Sequence, residues 1–230
     1  MSGAPTRTGY RLGVAQQAHR AAVESVRVAA FRRATEFDWN DEARLMWSLA
    51  DDQGTVLALW DAHGELLSTV RASVFASTSQ AERFLEYSLA GMEIGAPLLV
   101  LSRAATSPTA SRQGFNSVVR YAYISAALSV PVAGLATLVY EGGPRLRSMR
   151  EAGFALTPPC AGWDSEAVAR TRPLMAHLTR QRFATAASQI AGALADRLSD
   201  VQIDWCAITA SLAAQCDEAG RAAEPVAEML

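Results

Sequence analysis

The most informative part of the chain is residues 98–154, which read LLVLSRAATSPTASRQGFNSVVRYAYISAALSVPVAGLATLVYEGGPRLRSMREAGF. Residues 98–105 form an almost continuous apolar run, which is typical of a central strand covered on both faces. A polar loop follows at residues 106–113, and the apolar spacing of residues 116–128 predicts a helix. We therefore expect a buried strand that leads through a short loop directly into a helix.

The start of that helix has the properties of an anion-binding site. The first N–H groups of a helix have no acceptor within the helix, and the helix dipole adds partial positive charge at the same end. Arg112 adds a fixed positive charge in the loop just before the helix. These features predict that an anionic group binds here, although an ordinary strand-to-helix crossover has the same pattern.

The rest of the chain predicts further strands and helices around this unit. Strands are expected at residues 10–15, 55–60, 66–75, 132–139, 154–157 and 173–178. Helices are expected at residues 16–35, from a cap at Asn40 or Asp41 up to residue 47, and at 79–90 and 145–152. Residues 181–220 are expected to be helical in two segments, the second starting at Asp200 or Asp204. Within the first helix, Arg27 is expected on the solvent-facing side. This order predicts an α/β domain with a mixed sheet over residues 1–180 and a C-terminal helical extension over residues 181–230.

The composition of the 230 residues excludes several classes of protein. With 50% hydrophobic and 19% charged residues, the chain is not expected to be disordered. It contains no lysine, so all 21 Lys and Arg residues are arginine, which excludes a lysine Schiff base and a lysine-dependent phosphate loop. The net charge of −2 argues against a nucleic-acid-binding protein, which is usually strongly basic.

Cysteine, histidine and hydropathy patterns predict a cytoplasmic protein without a metal site or a membrane span. The three cysteines are odd in number and form no Cys-x-x-Cys motif, which fits a reducing compartment. The three histidines are scattered and have no metal-ligand spacing. No apolar run approaches the roughly 20 residues that a membrane helix needs, and the N-terminus lacks the apolar core of a signal peptide.

Residues 98–154 resemble the GNAT acyltransferase superfamily. In that family a strand is followed by a Q/R-x-x-G-x-G/A loop that holds the pyrophosphate of the acyl donor, and the next strand diverges to admit the pantetheine. A short helix that ends in Gly-Phe follows. Here the aligned loop is SRQGFN at residues 111–116, and the closing pair is Gly153-Phe154. The order of elements extends the resemblance to residues 10–178 and implies a mixed, mostly antiparallel sheet flanked by helices.

Two departures from the family pattern indicate one branch of it. Ser111 and Asn116 replace the first and last residues of the loop, and Met149 stands where many members carry a tyrosine that protonates the thiolate. The Leu101-Ser102-Arg103 run before a Thr-x-Pro loop is similar to long-chain N-acyl amino acid synthases and acyl-homoserine-lactone synthases. Those relatives take acyl chains from acyl carrier protein, whose phosphopantetheine lacks the adenosine pyrophosphate of coenzyme A.

The resemblance implies a site for an acyl donor, which is either acyl carrier protein or acyl-coenzyme A, and no metal. The residues expected to contact the donor lie along the strand, loop and helix start: Leu101, Ala104, Arg112, Gln113, Gly114, Phe115, Asn116 and Ser117. Because acyl carrier protein is acidic, we also expect exposed arginines beside the donor entrance. The candidates are Arg112, Arg120, Arg145, Arg147 and Arg150.

The expected reaction is direct attack of a primary amine on the donor thioester. Ser102 is a candidate to assist at the thioester carbonyl, Tyr140 to protonate the thiolate and Glu141 to accept the amine proton. Arg103 is expected on the opposite side of the strand from Ser102, where it would bind an acceptor carboxylate or form a structural ion pair. Glu36 and Trp39 are the other candidates for contacts with the acceptor.

The leading hypothesis is therefore an N-acyltransferase that acylates an amino acid, a small metabolite or a peptide. The alternatives are an acyl-homoserine-lactone-type synthase, and a GNAT-like protein that binds acyl groups or serves as a scaffold without turnover. The helices after residue 180 are expected to dock on the domain or to form a homodimer through residues 181–220.

Overall fold

The centre of the structure is one sheet of eight strands, with the order β6-β7-β5-β4-β3-β2-β1-β8. The structure is a computed structural model and describes residues 9–34, 42–158 and 171–223. The strands are β1 (Tyr10–Val14), β2 (Thr55–Trp60), β3 (Leu66–Phe75), β4 (Leu98–Thr106), β5 (Gly134–Tyr140), β6 (Ala155–Thr157), β7 (Pro173–Thr179) and β8 (Val201–Ile203). The β4/β5 and β1/β8 pairs are parallel and the other neighbours are antiparallel. The predicted mixed, mostly antiparallel sheet is confirmed.

Eight α-helices of the described residues surround the sheet. They are α1 (Arg20–Arg32), α2 (Leu49–Gln53), α3 (Thr78–Leu85), α4 (Phe115–Ala127), α5 (Leu146–Glu151), α6 (Phe183–Ala193), α7 (Ala195–Leu198) and α8 (Trp205–Ala223). Short 3-10 turns lie at Gln17–His19, Glu42–Leu45, Pro108–Ala110 and Arg180–Arg182. No helix in these ranges is both long enough and apolar enough to cross a membrane.

The two faces of the sheet carry separate apolar cores. On one side, which we call the α4 face, Leu57, Leu99 and Leu101 pack in a large cluster with residues of α4, α6 and α8. On the other side, the α1 face, smaller clusters form beneath α1 and around α3. Because β4 and β5 are covered on both faces, their sequences are nearly uninterrupted apolar runs, as predicted.

Arg27 is the first correction to the sequence analysis. It was expected on the solvent-facing side of α1, but its side chain is fully buried against the sheet. Val23 lies four residues earlier on the same helix face and is also fully buried. The burial of Arg27 is stabilised by an ion pair with Asp51 of α2, which hydropathy spacing alone does not reveal.

The segment after residue 180 is the second correction. We expected helix over residues 181–220 in two segments, the second starting at Asp200 or Asp204. The start at Asp204 is confirmed, but Val201–Ile203 before it forms β8 and pairs with β1 at the edge of the sheet. Asp204 ends this strand and caps α8, because its carboxylate accepts a hydrogen bond from the N–H of Ala207 at 3.0 Å. The side chain of Gln215 then joins α8 to the sheet, since it accepts from the N–H of Val74 at 3.0 Å. The domain boundary at residue 180 and a homodimer through residues 181–220 stay predictions.

Two helix boundaries also differ from expectation. The helix expected to end at Trp47 is a 3-10 turn at Glu42–Leu45, and α2 starts only after Ser48, which shares reciprocal hydrogen bonds with Asp51. The helix expected over residues 79–90 stops at Leu85, because Glu86 adopts a left-handed conformation with φ of 50°. The strand bounds predicted for β2 and β3 are confirmed.

The buried hydroxyl of Tyr123 ties α4 to the middle of the sheet. It accepts a hydrogen bond from the N–H of Leu57 at 3.0 Å and lies 2.5 and 2.9 Å from the carbonyl oxygens of Thr55 and Val70. Burial raises the pKa of Tyr123 far above its ordinary value. The phenol therefore stays protonated and can donate to one of these carbonyls at any physiological pH.

We predict that Tyr123→Phe lowers the free energy of unfolding by about 1–3 kcal/mol, because it leaves buried backbone groups without a partner. Urea denaturation measures the loss. Tyr121→Phe is the matched control on the same helix, because the Tyr121 hydroxyl makes no hydrogen bond within the described residues. An equal loss in both variants would contradict this role of Tyr123.

Candidate functional site

The strands β4 and β5 separate at one end of the sheet. Their parallel pairing runs from Leu98 opposite Gly134 to Leu101 opposite Thr137 and stops there. Strand β4 continues to Thr106, while β5 continues to Tyr140 and keeps pairing with β7 on its other side. The β4 backbone groups that point toward β5 beyond Leu101 therefore face an opening. We call this gap the β4/β5 opening.

A β-bulge in β4 lies beside this opening. The antiparallel register with β3 places Ser102 opposite Arg71 and Ala105 opposite Thr69, so that two residues of β4 face one residue of β3. Arg103 lies within the bulge and has a left-handed φ of 53°. The opening and the bulge together define the part of the β4 backbone at which the predicted acyl transfer would take place.

The bulge corrects the predicted direction of Arg103. Simple alternation placed Arg103 and Ser102 on opposite sides of β4, but both lie near Arg71 on the α1 face. The Nε atom of Arg71 donates to Ser102 Oγ at 3.0 Å. Burial, followed by the positive charges of Arg71 and Arg27, lowers the pKa of Arg103 to about 10. An extra residue in a strand shifts the alternation of side chains, and this is why the pattern failed.

Arg27, Asp51, Arg71 and Arg103 form what we call the arginine cluster. Arg27 donates two hydrogen bonds to the carboxylate of Asp51, at 2.5 and 3.1 Å. Arg71 lies 3.7 Å from the same carboxylate. Burial raises the pKa of Asp51, but the hydrogen bonds and charges of the arginines outweigh it and hold this pKa below its ordinary value. Asp51 is therefore ionised and neutralises one of the three guanidinium groups.

The cluster keeps an excess of positive charge. The cluster has three guanidinium groups and one carboxylate, and the Glu24 carboxylate outside it adds a further negative charge near Arg27. Arg71 also stacks on the ring of Phe84, 5.1 Å from its centroid. Arg103 donates no hydrogen bond to any residue that the structure describes. Its guanidinium is therefore available to an anionic ligand.

The other predicted catalytic residues lie at the end of β5. Tyr140 is half-buried opposite Pro173 of β7. Strand alternation places Tyr140 on the same face as Ala136, which packs into the cluster around α3 on the α1 face. Glu141 is exposed, and its N–H donates to the carbonyl of Arg172 at 3.0 Å. Glu36 and Trp39 lie outside the described residues.

The loop before α4 presents unpaired backbone donors. The N–H groups of the five consecutive residues 112–116 donate to no acceptor in the described part of the chain. Arg112 and Gly114 have positive φ angles of 63° and 81°. A Cβ on Gly114 would also lie 3.1 Å from Leu194, so this position favours glycine on two counts. Ser117 is the first N–H of this helix that is bonded, to the carbonyl of Gly114.

The other residues predicted to contact the acyl donor surround this loop on the α4 face. Leu101 is buried in the large cluster and Ala104 packs against it. Phe115 is buried beneath Tyr10 and Arg197, whose guanidinium lies 4.9 Å from the Phe115 ring centroid. Gln113 is exposed, and its side-chain amide reaches the carbonyl of Thr109 at 3.4 Å. The residues thus provide one loop of free N–H groups at the mouth of the β4/β5 opening.

The predicted basic surface needs one correction. Arg112, Arg147 and Arg150 are exposed and Arg145 is half-buried. Arg120 was expected on the surface, but only 2% of it is exposed. It lies one turn beyond Asn116 on α4, and its Nη2 atom donates to Asn116 Oδ1 at 2.9 Å.

Sequence reasoning missed three members of the arginine cluster. Arg27 was expected on the solvent-facing side of a helix, Arg71 only as part of a strand, and Asp51 was not singled out. A charged residue in the middle of the apolar β3 run was the signal that could have identified Arg71, because an unpaired charge is rarely buried. Among the described residues, no group of three His, Cys, Asp or Glu side chains could hold a metal ion. A separate cavity of about 570 Å³ lies near Tyr10, Trp60 and Asp200.

The chain matches no protein-family model and no curated protein sequence, but its fold matches solved structures. The acyl-homoserine lactone synthase BjaI, solved with S-adenosylmethionine and isopentyl-CoA, superposes with a TM-score of 0.56 at 18% identity over 86% of this chain and 93% of that chain. The N-acyl amino acid synthase FeeM from uncultured soil microbes gives 0.51 at 14% identity over 76% and 93%.

A GNAT superfamily phosphinothricin acetyltransferase from Sinorhizobium meliloti, solved with acetyl-CoA, gives a TM-score of 0.52 at 16% identity over 74% of this chain and 88% of that chain. The match to these three enzymes agrees with the diverging β4 and β5 strands, the glycine loop before α4 and the closing Gly-Phe turn. The chain therefore has the fold of the GNAT acyltransferase superfamily.

Proposed function

We propose that the protein is an N-acyltransferase that moves a fatty acyl group from a phosphopantetheine thioester to the amine of an amino acid. The observation that carries this proposal is the β4/β5 opening, which has free backbone donors on the α4 face and the arginine cluster on the α1 face. A donor and an acceptor would approach from opposite sides of the sheet and meet at the bulge in β4.

The donor side fits a phosphopantetheine arm. The free N–H groups of residues 112–116 and the positive end of α4 favour a phosphate at the mouth of the opening. From there the pantetheine would extend along the unpaired edge of β4, past Ala104 toward Leu101. The same arm is present in acyl-coenzyme A and on acyl carrier protein.

The acceptor side fits an amine that also carries a carboxylate. The excess positive charge of the arginine cluster lies in a largely buried setting, where charge-assisted hydrogen bonds are strong. Arg103 has free donors and sits within the bulge itself. A carboxylate bound there would hold the amine of an amino acid next to β4. Glu36 and Trp39 are further proposed contacts.

The proposed reaction is direct acyl transfer. The amine nitrogen forms a bond to the thioester carbonyl carbon, the C–S bond breaks, and a proton moves from the amine to the pantetheine sulfur. Ser102 accepts a hydrogen bond from Arg71, so its own proton is free to stabilise the carbonyl oxygen. Tyr140 is the proposed acid toward sulfur, and Glu141 is the proposed base, reached through water.

Acyl carrier protein is the donor that we favour. Arg147 and Arg150 are exposed on α5, whose Met149 packs into the large cluster of the α4 face, and Arg112 is exposed beside the opening. Arg147 also forms an ion pair with Glu151 of the same helix, which leaves Arg112 and Arg150 as the main charges for a carrier. An acidic carrier would be attracted to this group. We place the protein in the cytoplasm, where a reducing environment suits an odd number of cysteines without a Cys-x-x-Cys motif.

The similarity to BjaI supports one alternative, an acyl-homoserine-lactone-type synthase. S-adenosylmethionine, which is present in that structure, also carries an amine and a carboxylate, so the arginine cluster suits both acceptors. A protein that binds acyl groups without turnover is the remaining alternative.

The direct test is to incubate the protein with acyl carrier proteins and acyl-coenzyme A of several chain lengths, together with a pool of amino acids and S-adenosylmethionine. Mass spectrometry should detect an N-acyl amino acid. Acyl transfer from the carrier should weaken as salt rises, because the attraction to the exposed arginines is screened. An acyl-homoserine lactone would establish the alternative, and no amide with any donor would exclude both enzymes.

Arg103→Asn tests the acceptor site, because asparagine tolerates the left-handed backbone and removes the guanidinium. We expect the KM for the amino acid to rise about 10- to 100-fold, as the loss of a charge-assisted hydrogen bond implies. The KM for the donor should not change. Arg83→Asn, at an exposed arginine of α3, is the control. The proposal fails if Arg103→Asn affects an amine without a carboxylate as strongly as the amino acid.

A further inference from the structure

We infer that Arg120, buried beneath the first turn of α4, binds the phosphate of the donor's 4′-phosphopantetheine. This inference rests on the proposed function and adds a buried side-chain anion site to the backbone loop before α4. It assigns the phosphate contact to one guanidinium that the sequence analysis had placed on the surface.

The geometry of Arg120 points to a missing anion. Its Nη2 atom is bonded to Asn116 Oδ1, which places the guanidinium at the second residue of α4. Its Nη1 atom is buried and has no hydrogen-bond partner. Folded proteins satisfy nearly all buried polar groups, so an unpaired guanidinium nitrogen in the interior requires an explanation.

Among the described residues, the charged group that acts on Arg120 is another arginine. Burial, and then the positive charge of Arg145, lowers the pKa of Arg120 to about 9. No carboxylate of the described residues acts to raise this pKa. Two arginines, one from α4 and one from the start of α5, are thus held near each other at the end of the helix dipole that favours anions.

The contrast with Arg27 shows why a purely structural role does not account for Arg120. Arg27 is just as buried, but it is paired with the carboxylate of Asp51 through two hydrogen bonds. Arg120 has only the neutral amide of Asn116. Burial of a cation without a counter-ion destabilises the fold. A bound anion at Arg120 would supply the missing counter-charge.

A phosphate is the anion that fits this position. A phosphate would accept hydrogen bonds from Arg120 and from the free N–H groups at the start of α4. These donors are adjacent, because the N–H of Asn116 is one of the free groups and the side chain of Asn116 is bonded to Arg120. Coenzyme A and acyl carrier protein share the 4′-phosphate of phosphopantetheine, so one site would serve either donor. The loop departs from the pyrophosphate pattern at Ser111 and Asn116, which agrees with a site built around one phosphate.

The test is to compare the binding of pantetheine 4′-phosphate and pantetheine by isothermal titration calorimetry. The wild-type protein should bind the phosphorylated compound about 10- to 100-fold more tightly, as expected for charge-assisted hydrogen bonds. Arg120→Met should abolish this ratio. Arg120→Gln is a second variant that keeps a polar group beside Asn116. Arg221→Met, at an exposed arginine of α8, is the control and should keep the ratio.

The melting temperature of the free protein gives a second readout. Because Arg120→Met removes a buried unpaired charge, it should raise the melting temperature by about 3 °C. A purely structural arginine would show a fall instead. An unchanged binding ratio in both Arg120 variants, or a lower melting temperature in Arg120→Met, would overturn the inference.

The proposed function can fail independently of this inference. The binding ratio needs no turnover, so it is measured whether or not any amide forms. If the proposed function holds, Arg120→Met should still use acyl-pantetheine, which has no phosphate, as well as the wild-type protein does. Absence of transfer from every donor with an intact binding ratio would contradict the function and leave the phosphate site in place.

Discussion

The backbone pairing between β4 and β5 ends at Leu101 and Thr137, and the positions of both proposed binding regions follow from this end. A parallel pair in the middle of a sheet would normally be a closed, buried seam. Here β5 continues with β7, β4 continues with β3, and the two edges that face each other are left without a partner strand. The bulge at Arg103 keeps β4 paired with β3 through this region. Backbone N–H groups of β4 beyond Leu101 therefore face the opening without a partner in β5.

The same arrangement separates the two halves of the proposed site. Strand β4 leads directly into the loop and into α4, so the anion-binding groups lie on the α4 face. The bulge brings Ser102 and Arg103 together near Arg71 on the α1 face, where α1 and α2 contribute Arg27 and Asp51. The two proposed binding regions therefore lie on opposite faces of the sheet and meet at the opening. This division suits a reaction between two substrates that each carry an anionic group, a phosphate on the acyl donor and a carboxylate on the acceptor.

Much of the fold was predictable because its signals are local. The continuous apolar run of β4, the turn residues 61–65 between β2 and β3 and the glycine before α4 are each signals carried by a few neighbouring residues. The short strand β8 was missed because its three residues join the sheet only through pairing with β1, which lies almost 190 residues earlier in the chain. Its sequence carries no local signal that distinguishes it from the helices around it.

The candidate site was less predictable, because its electrostatics depend on partners that are distant in sequence. Arg27 and Asp51 are 24 residues apart, and each looks like a solvent-facing helix residue until the other is known. Arg103 changed sides because one extra residue in β4 shifts the alternation. Arg120 was placed on the surface because arginine is usually exposed. For Arg27 and Arg120, a charge is buried where the sequence pattern assigns it to solvent.

A crystal structure of the protein with a non-hydrolysable acyl-coenzyme A thioether would show where the acyl donor binds. We predict that the pantetheine lies in the β4/β5 opening, with its 4′-phosphate at the start of α4 and within hydrogen-bond distance of Arg120. A ligand bound instead in the cavity near Tyr10 and Trp60, with the opening between β4 and β5 closed, would contradict it.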